Sequence, residues 1–207
     1  MKIMLLVEGA TEKKALPGFF KRWLDKKLSN KIGIDAVKID NIKIDLINRA
    51  SNYLKGHEVI AVIGIVDIYE LKEIKRDGKD REEYYLYAKQ EIEKRVGHEM
   101  FFQFFAVHET EAWLLSDPNI FPRQVQEAIR QELVKKNGPE SVNFDTPPAK
   151  LLDRLYRKEL NRKYNKITDG NNLFTKLAPD TAYSKCPYLK QILDKLNDIC
   201  EKHNDLT

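Results

Sequence analysis

Acidic side chains follow three of the apolar runs in this sequence, at the point where each run ends. Glu8 comes directly after KIMLLV, Asp67 after VIAVIGIV, and Glu109 and Glu111 shortly after MFFQFFAV. If these runs are parallel strands, their carboxyl ends meet at one edge of a sheet, where such folds bind ligands. Clustered carboxylates repel one another unless a cation lies between them, and Mg²⁺ or Mn²⁺ takes oxygen ligands of this kind, often together with substrate phosphate. The spacing therefore predicts a divalent-cation site at this edge.

Each of these acids also has an ordinary alternative role. A carboxylate just past a strand often caps the next helix, and Glu109 and Glu111 lie early in a predicted helix, so they fit that role. Glu8 and Asp67 are harder to explain in this way, because each ends a buried strand. Gly9 follows Glu8, and a helix begins at once.

The elements that would position these acids alternate between strand and helix. The predicted strands are 2–8, 33–39, 58–70 and 100–107, and the helices between them begin at residue 11 or cover 43–55 and 81–97. This β-α-β-α-β-α-β order is typical of an α/β domain with a parallel sheet and right-handed crossovers. After residue 108 the pattern is helical, with segments at 122–137, 147–160 and 187–202. We predict an α/β domain over 1–115 and a helical C-terminal region over 116–207 that packs on it.

Composition narrows the class of protein. The chain has 207 residues, 42% hydrophobic and 33% charged, with a net charge of +4, which is typical of a globular protein and compatible with a polyanionic partner. No apolar run is long enough to span a membrane or resembles a secretory signal, so we expect a cytoplasmic protein. The two cysteines form no metal-ligand spacing.

A basic segment lies at 150–166, where lysines and arginines are interleaved with Tyr156 and Tyr164. Such a mixture suits a surface that follows a phosphate backbone, although a solvated helix face gives the same pattern. Other sites are excluded by sequence. HETEA is not the zinc motif HExxH, and no GxxxxGK[ST], GxGxxG or GxSxG segment occurs.

Several segments resemble a known family. VEGATEKKALP resembles the first motif of the Toprim (topoisomerase-primase) fold. VDIYEL, FFQFFAVHETEAWLLSDP and YNKITDGNNLFTKLAPDTAYSKCPYLKQIL are similar to a Toprim-like family, the domain of unknown function four-two-seven-six. The resemblance covers both halves of the chain and implies a Toprim-like or Rossmann-like parallel sheet of about four strands.

The resemblance also implies roles for individual residues. In Toprim enzymes a first-strand glutamate and an Asp-x-Asp pair serve acid/base and metal roles in phosphodiester chemistry. Glu8 matches the glutamate and Asp67 the first aspartate, but Tyr69 stands where the second aspartate is expected. A single-metal site, a ligand shell completed by Glu109 or Glu111, and loss of activity all remain open.

Together these arguments define the candidate site. The catalytic candidates are Glu8, Asp67 and Glu111, and the metal ligands are Glu8, Asp67, Glu109 and Glu111. The substrate-binding candidates are Gly9, Tyr69, His108, Lys150, Arg154, Arg157 and Lys158.

Three functions are compatible with this site. The first is a Mg²⁺- or Mn²⁺-dependent nuclease or other phosphoesterase, which by the resemblance would act on nucleic acid in DNA repair or in defence against phage. The second is a non-catalytic module that binds nucleic acid or a protein partner in a defence complex. The third is hydrolysis of a small nucleotide or phosphorylated metabolite. Binding to a nucleic-acid backbone weakens steeply with salt, whereas binding in a small-ligand pocket does not.

Overall fold

The fold is built on a parallel sheet of four strands in the order β2-β1-β3-β4. The computed structural model describes residues 1–28, 32–68, 71, 74, 77–106, 109–136, 138–144 and 146–204, with the backbone alone at 42, 43, 81 and 142–144. The strands are β1 (Lys2–Val7), β2 (Gly33–Lys38), β3 (Val59–Asp67) and β4 (Phe101–Ala106). The prediction of an α/β fold with a parallel sheet of about four strands is therefore confirmed.

Both faces of the sheet are covered, which explains why the central strands are apolar almost throughout. Alternate side chains of β1 enter different cores: Ile3 and Leu5 pack on one face, and Met4 and Leu6 on the other. The helices between the strands are α1 (Ala10–Leu24), α2 (Ile47–Leu54) and α3 (Arg81–Val96).

The second half of the chain is helical. It contains α4 (Glu111–Leu114), α5 (Arg123–Val134), α6 (Pro148–Leu160), α7 (Asn171–Lys176), α8 (Pro179–Lys185) and α9 (Pro187–Asn204), with short 3₁₀ turns at Pro118–Ile120 and Pro139–Phe144. Two turns of π-helix, Ile42–Leu46 and Lys166–Gly170, run directly into α2 and α7. None of the described helices is both long and apolar enough to cross a bilayer.

Helix α1 connects the sheet to the C-terminal helices. Its Phe19 ring meets Phe174 of α7 edge-on at 5.7 Å between centroids, and the Trp23 indole N–H donates to the Leu193 carbonyl of α9 at 3.2 Å. One continuous hydrophobic core accordingly runs from β1 to the last helix. The division of the chain at residue 115 stays a prediction, and the two regions that it separates share this core.

Candidate active site

A cleft of about 360 Å³ lies at the carboxyl edge of the sheet. Residues from the ends of all four strands and from the start of α1 line it, and one residue comes from the helical half. Its charged lining residues are Glu8, Glu12, Asp40, Asp67 and Glu109, with Lys38 and Lys166. Five acids against two lysines leave the ionised lining with three net negative charges, so the cleft is suited to a cation.

Glu8 and Asp67 meet because β1 and β3 are neighbours in the sheet. Val7 is in register with Ile65, so Glu8 emerges beside the end of β3, and the backbone N–H of Asp67 donates to Glu8 Oε2 at 2.7 Å. Both residues are partly buried. The predicted proximity of these two acids is observed, and the backbone of one holds the carboxylate of the other in place.

Gly9 permits a second acid to fold back over the start of α1. A Cβ atom at residue 9 would overlap the carboxylate of Glu12, and Glu12 Oε1 also accepts a hydrogen bond from the Thr110 hydroxyl at 3.1 Å. Gly9 therefore lines the cleft through its backbone and leaves room for Glu12. Glu12 and Thr110 are site residues that the sequence analysis missed, although Glu12 stands four residues after Glu8 in the first turn of a helix.

Lys166 carries positive charge from the helical half into the cleft. Its Nζ donates to Glu109 Oε1 at 2.6 Å and lies 3.8 Å from Glu111 Oε1. Burial alone would lower the pKa of Lys166, but the two glutamates outweigh it and raise that pKa above its usual value. Lys166 belongs to the basic segment noted in the sequence, yet no spacing in the sequence pairs it with Glu109.

The π-turn that carries Lys166 is docked on the start of α1. A Cβ at Gly170 would stand 3.1 Å from both Thr11 Cγ2 and the Tyr164 hydroxyl, which is tighter than an ordinary contact, so glycine suits the close approach of the turn to α1.

Glu109 joins the two halves of the chain. Its second oxygen, Oε2, accepts the backbone N–H of Ala149, in the first turn of α6, at 2.7 Å. A carboxylate at the N-terminus of a helix is stabilised by the helix dipole and by the exposed N–H groups there. Both oxygens of Glu109 therefore have protein partners. This favours the helix-capping role that the sequence left open, and the helix that Glu109 caps is α6.

Glu111 lies beneath Lys166 and does not line the cleft. It is 1% exposed, and neither carboxylate oxygen has a hydrogen-bond partner. Burial raises the pKa of Glu111 to about 7, Lys166 opposes the rise, and Glu109 and Glu12 add to it. The nearby Tyr164 hydroxyl is also buried without a hydrogen-bond partner, and burial raises the pKa of Tyr164 above its usual range.

The basic residues chosen from the sequence lie on α6, and none of them is among the residues that line the cleft. Arg154 pairs with Glu132, Arg157 with Asp153, and Lys158 with Glu159, and Lys150 is exposed. Three of these four basic residues are therefore paired with acids, as expected for the solvated helix face that the sequence left open. Two further substrate-binding candidates, Tyr69 and His108, lie outside the described residues.

The donor set of the cleft fits a hard divalent cation that keeps part of its hydration. Mg²⁺ commonly binds to one or two carboxylates together with waters and substrate phosphate, and Glu8 and Asp67 offer two carboxylates at the cleft. Within the described part of the chain, no three His, Cys, Asp or Glu side chains are grouped so that they could hold a metal ion. The four-ligand set that adds Glu109 and Glu111 stays a prediction that no grouping of the described side chains supports.

These observations define the class of protein as an α/β fold with an acidic cleft at the carboxyl edge of a parallel sheet. The sequence profile of one family, "Domain of unknown function (DUF4276)", matches residues 7–197, so the chain belongs to that family. The predicted family is thereby confirmed. No match to a functionally curated protein was found.

Solved structures share the fold at low sequence identity. The C-terminal region of the Xanthomonas campestris pv. campestris OLD protein is 17% identical in one structure, over 100% of this chain and 97% of that chain, with a TM-score of 0.50. A second structure of that region is 20% identical over 98% of this chain and 97% of that chain, with a TM-score of 0.47. The C-terminal region of the Burkholderia pseudomallei OLD protein is 16% identical over 96% of this chain and 98% of that chain, with a TM-score of 0.49. At 17% identity, the match with the TM-score of 0.50 supports a shared fold only.

Proposed function

We propose that this protein is a Mg²⁺- or Mn²⁺-dependent phosphodiesterase that acts on nucleic acid. The observation that carries the proposal is the meeting of Glu8 and Asp67 in an acidic cleft, where the Asp67 N–H holds the Glu8 carboxylate at 2.7 Å. Two buried strands each end in an acid that lines this cleft, and a bound cation would offset the repulsion between such carboxylates.

Glu8 and Asp67 would hold the ion through their carboxylate oxygens. When bound, such an ion supplies positive charge that stabilises the negative charge developing on a phosphoryl group. Lys38, which pairs with Asp40 at 3.6 Å, and Lys166, which is held by Glu109, line the cleft as well and would orient the phosphodiester. Glu12, fixed by the Thr110 hydroxyl, adds a further acid to the cleft.

Glu111 would act through Lys166 and not on the substrate itself. A side chain that is 1% exposed has no access to a bound phosphodiester, but its charge 3.8 Å from Lys166 Nζ favours the protonated lysine. We therefore propose Glu111 as a positioning residue. The direct catalytic role predicted for Glu111 from the sequence is not part of this proposal, and the metal-ligand role of Glu109 stays a prediction.

Nucleic acid is the proposed substrate because the Toprim resemblance implies phosphodiester chemistry, in DNA repair or in phage defence. The two regions proposed from the sequence would divide the work. Residues 1–115 carry the acids of the cleft, and 116–207 supply Lys166 and the helix that Glu109 caps.

A non-catalytic module that binds nucleic acid or a protein partner is the second candidate. It is favoured by one observation, the lack of any described group of three metal-ligating side chains. Such a module would use Lys38 and Lys166 to bind phosphate and would bind equally well with and without a divalent cation.

Cleavage assays separate the two candidates. Labelled single- and double-stranded DNA and RNA, and the small diester bis(4-nitrophenyl) phosphate, are incubated with Mn²⁺, Mg²⁺ or EDTA. Wild type is compared with Glu8→Gln and Asp67→Asn, because these amides keep an acceptor oxygen and remove the charge. Glu127→Gln, at a side chain that is 70% exposed on α5, is the matched control.

We expect metal-dependent cleavage that both cleft substitutions reduce by at least about a hundredfold and that the control leaves unchanged. Cleavage that survives both substitutions would contradict the proposal. Binding of nucleic acid without any cleavage would favour the module, and cleavage of the small diester alone would favour a small phosphorylated substrate.

A further inference from the structure

Two turns that adjoin the cleft lining along the chain, here called the rim turns, have the same local construction. The first rim turn, Ile42–Leu46, follows Ile39 and Asp40 of the cleft lining, and the second rim turn, Lys166–Gly170, begins with the lysine of the cleft. Each is a turn of π-helix that leads into an α-helix. Such turns are rare and occur frequently at functional sites.

Each rim turn is held from both ends by an asparagine and an aspartate. In the first, Asn41 Oδ1 accepts the Ile44 N–H at 2.9 Å and Asp45 Oδ2 accepts the Asp40 N–H at 2.9 Å. In the second, Asn165 Oδ1 accepts the Thr168 N–H at 2.9 Å, and Asp169 Oδ2 accepts the Asn165 N–H at 2.8 Å.

An arginine then fixes each aspartate. Arg49 pairs with Asp45, and Arg162 binds Asp169 through both terminal nitrogens at 2.7 and 2.9 Å. Arg49 holds the pKa of Asp45 below its usual range. Burial would raise the pKa of Asp169, but the hydrogen bonds from Arg162 and from the Asn165 N–H outweigh it and lower that pKa. The backbone of each turn is therefore fixed by hydrogen bonds from side chains on both sides.

Each of these fixed turns exposes one isoleucine. Ile44 is 62% exposed and Ile167 is 51% exposed, and the described chain has only three other large apolar side chains that are similarly exposed: Met1, Leu86 and Val134. A single exposed apolar residue is ordinary. Here two recur at the same kind of turn, and each turn lies within two residues of the cleft lining along the chain.

We infer that Ile44 and Ile167 contact the bases that flank the phosphate bound in the cleft, and that the substrate is a nucleic acid with unpaired bases. The inference rests on the proposed function, because it places a phosphodiester between Lys38 and Lys166. A polynucleotide carries a planar apolar face on each side of every phosphate, and rigid apolar side chains bind such faces without reading the sequence. In a duplex the base faces are stacked, so the rim residues favour a single strand.

The test measures binding of a fluorescent single-stranded dodecamer by anisotropy, in Ca²⁺ so that the strand stays intact. The variants are Ile44→Thr, Ile167→Thr and their combination, which keep the β-branch and shorten the apolar side chain. Val134→Thr, at a side chain that is 85% exposed on α5, is the control. Each protein is titrated with the dodecamer, with the same strand carrying abasic sites, and with a duplex.

We expect each rim substitution to raise the Kd for the single strand by about three- to tenfold, in line with the apolar area lost, and the control to leave it unchanged. Wild type should bind the strand about tenfold more tightly than its abasic form, and the double variant should lose this preference. An unchanged Kd in the rim variants, equal binding of the abasic strand by wild type, or equally tight binding of the duplex would overturn the inference.

Two further outcomes would also overturn it. If the rim substitutions abolish self-association in light scattering and leave oligonucleotide binding intact, the rim is a protein-binding surface. If wild type binds no oligonucleotide at low salt, the substrate class is wrong. Bis(4-nitrophenyl) phosphate carries no nucleobase, so its hydrolysis with Mn²⁺ then shows whether the proposed phosphodiesterase activity holds without this inference.

Discussion

Glu111 offers a prediction in which stability and the proposed site are linked. It is an ionisable side chain that is 1% exposed, has no hydrogen-bond donor to either oxygen, and lies 3.8 Å from one lysine. Burial of this kind disfavours the charged form, and the pKa of Glu111 rises from 4.5 to about 7. We predict that Glu111→Gln makes the protein relatively more stable as the pH rises.

The sign follows from the raised pKa. Between pH 4.5 and 7 the folded protein retains a proton on Glu111 that the unfolded chain releases, so the free energy of unfolding falls as the pH rises. Each pH interval of one is worth about 1.4 kcal/mol, so the full effect of this side chain is about 3 kcal/mol, and about 2.5 kcal/mol of it develops between pH 5 and pH 8. Glutamine has no proton to release. Its buried amide costs a similar amount at every pH, so the change with pH isolates the carboxyl group.

Urea denaturation of wild type and Glu111→Gln at several pH values from 5 to 8 measures this difference, provided that both unfold in two states. The free energy of unfolding of the variant, minus that of wild type, should rise by about 2.5 kcal/mol across the range. Glu127→Gln should show no comparable rise, because that side chain is 70% exposed.

A difference that stays flat from pH 5 to pH 8 would show that Glu111 is ionised throughout and would refute the burial argument. The difference would also stay flat if Lys166 more than compensated for the burial, because a folded-state pKa below 4.5 changes stability only below about pH 5. A flat result would therefore remove the reason to regard Glu111 as a side chain kept at a cost to stability in order to position Lys166.

Three further predictions concern other contacts. Lys166→Met should reduce metal-dependent cleavage by at least about tenfold, with the circular dichroism spectrum unchanged; full activity would mean that Lys166 only links the two halves. Glu140→Ala should lower the free energy of unfolding by about 3 kcal/mol. Glu140 accepts hydrogen bonds from the Trp113 indole N–H and from the backbone N–H groups of Tyr188 and Leu189 at the start of α9. A loss below about 1 kcal/mol in urea denaturation would contradict this role. Gly64→Ala should lower the free energy of unfolding by about 2 kcal/mol, because the new Cβ would overlap the buried Gln103 amide. Gly18→Ala in α1 should raise it by about 0.5 kcal/mol in the same titration, because no atom lies within 4 Å of the new Cβ.

The sheet and the long helices could be predicted from the sequence because their signals are local. The run of β-branched residues in β3 and the helical spacing of Leu189, Ile192 and Leu196 in α9 each report burial directly. The positions of Glu8 and Asp67 followed from one rule, that parallel strands end at the same edge. The short helices α7 and α8 and the second π-turn were missed, because segments of five to seven residues are too short to show a period. The first π-turn was predicted as the start of the helix 43–55.

The rest of the site could not be predicted because it depends on contacts between distant residues. Lys166 meets Glu109 across 57 residues of sequence, and Thr110 meets Glu12 across 98. The basic residues of α6 looked suitable for nucleic acid, but the sequence does not show that Arg154 pairs with Glu132 on another helix. Charge content is visible in a sequence, whereas the partners that neutralise it appear only in the fold.

The central claim is that Glu8 and Asp67 together bind a divalent cation, and titration of Mn²⁺ followed by electron paramagnetic resonance tests it most directly. Free Mn²⁺ gives a strong signal that is broadened on binding, so the assay needs neither a substrate nor activity. We predict saturable binding to wild type and to Glu127→Gln, and its loss in both Glu8→Gln and Asp67→Asn while the proteins stay folded. Binding that persists in either variant, or that is absent from wild type, would contradict the account.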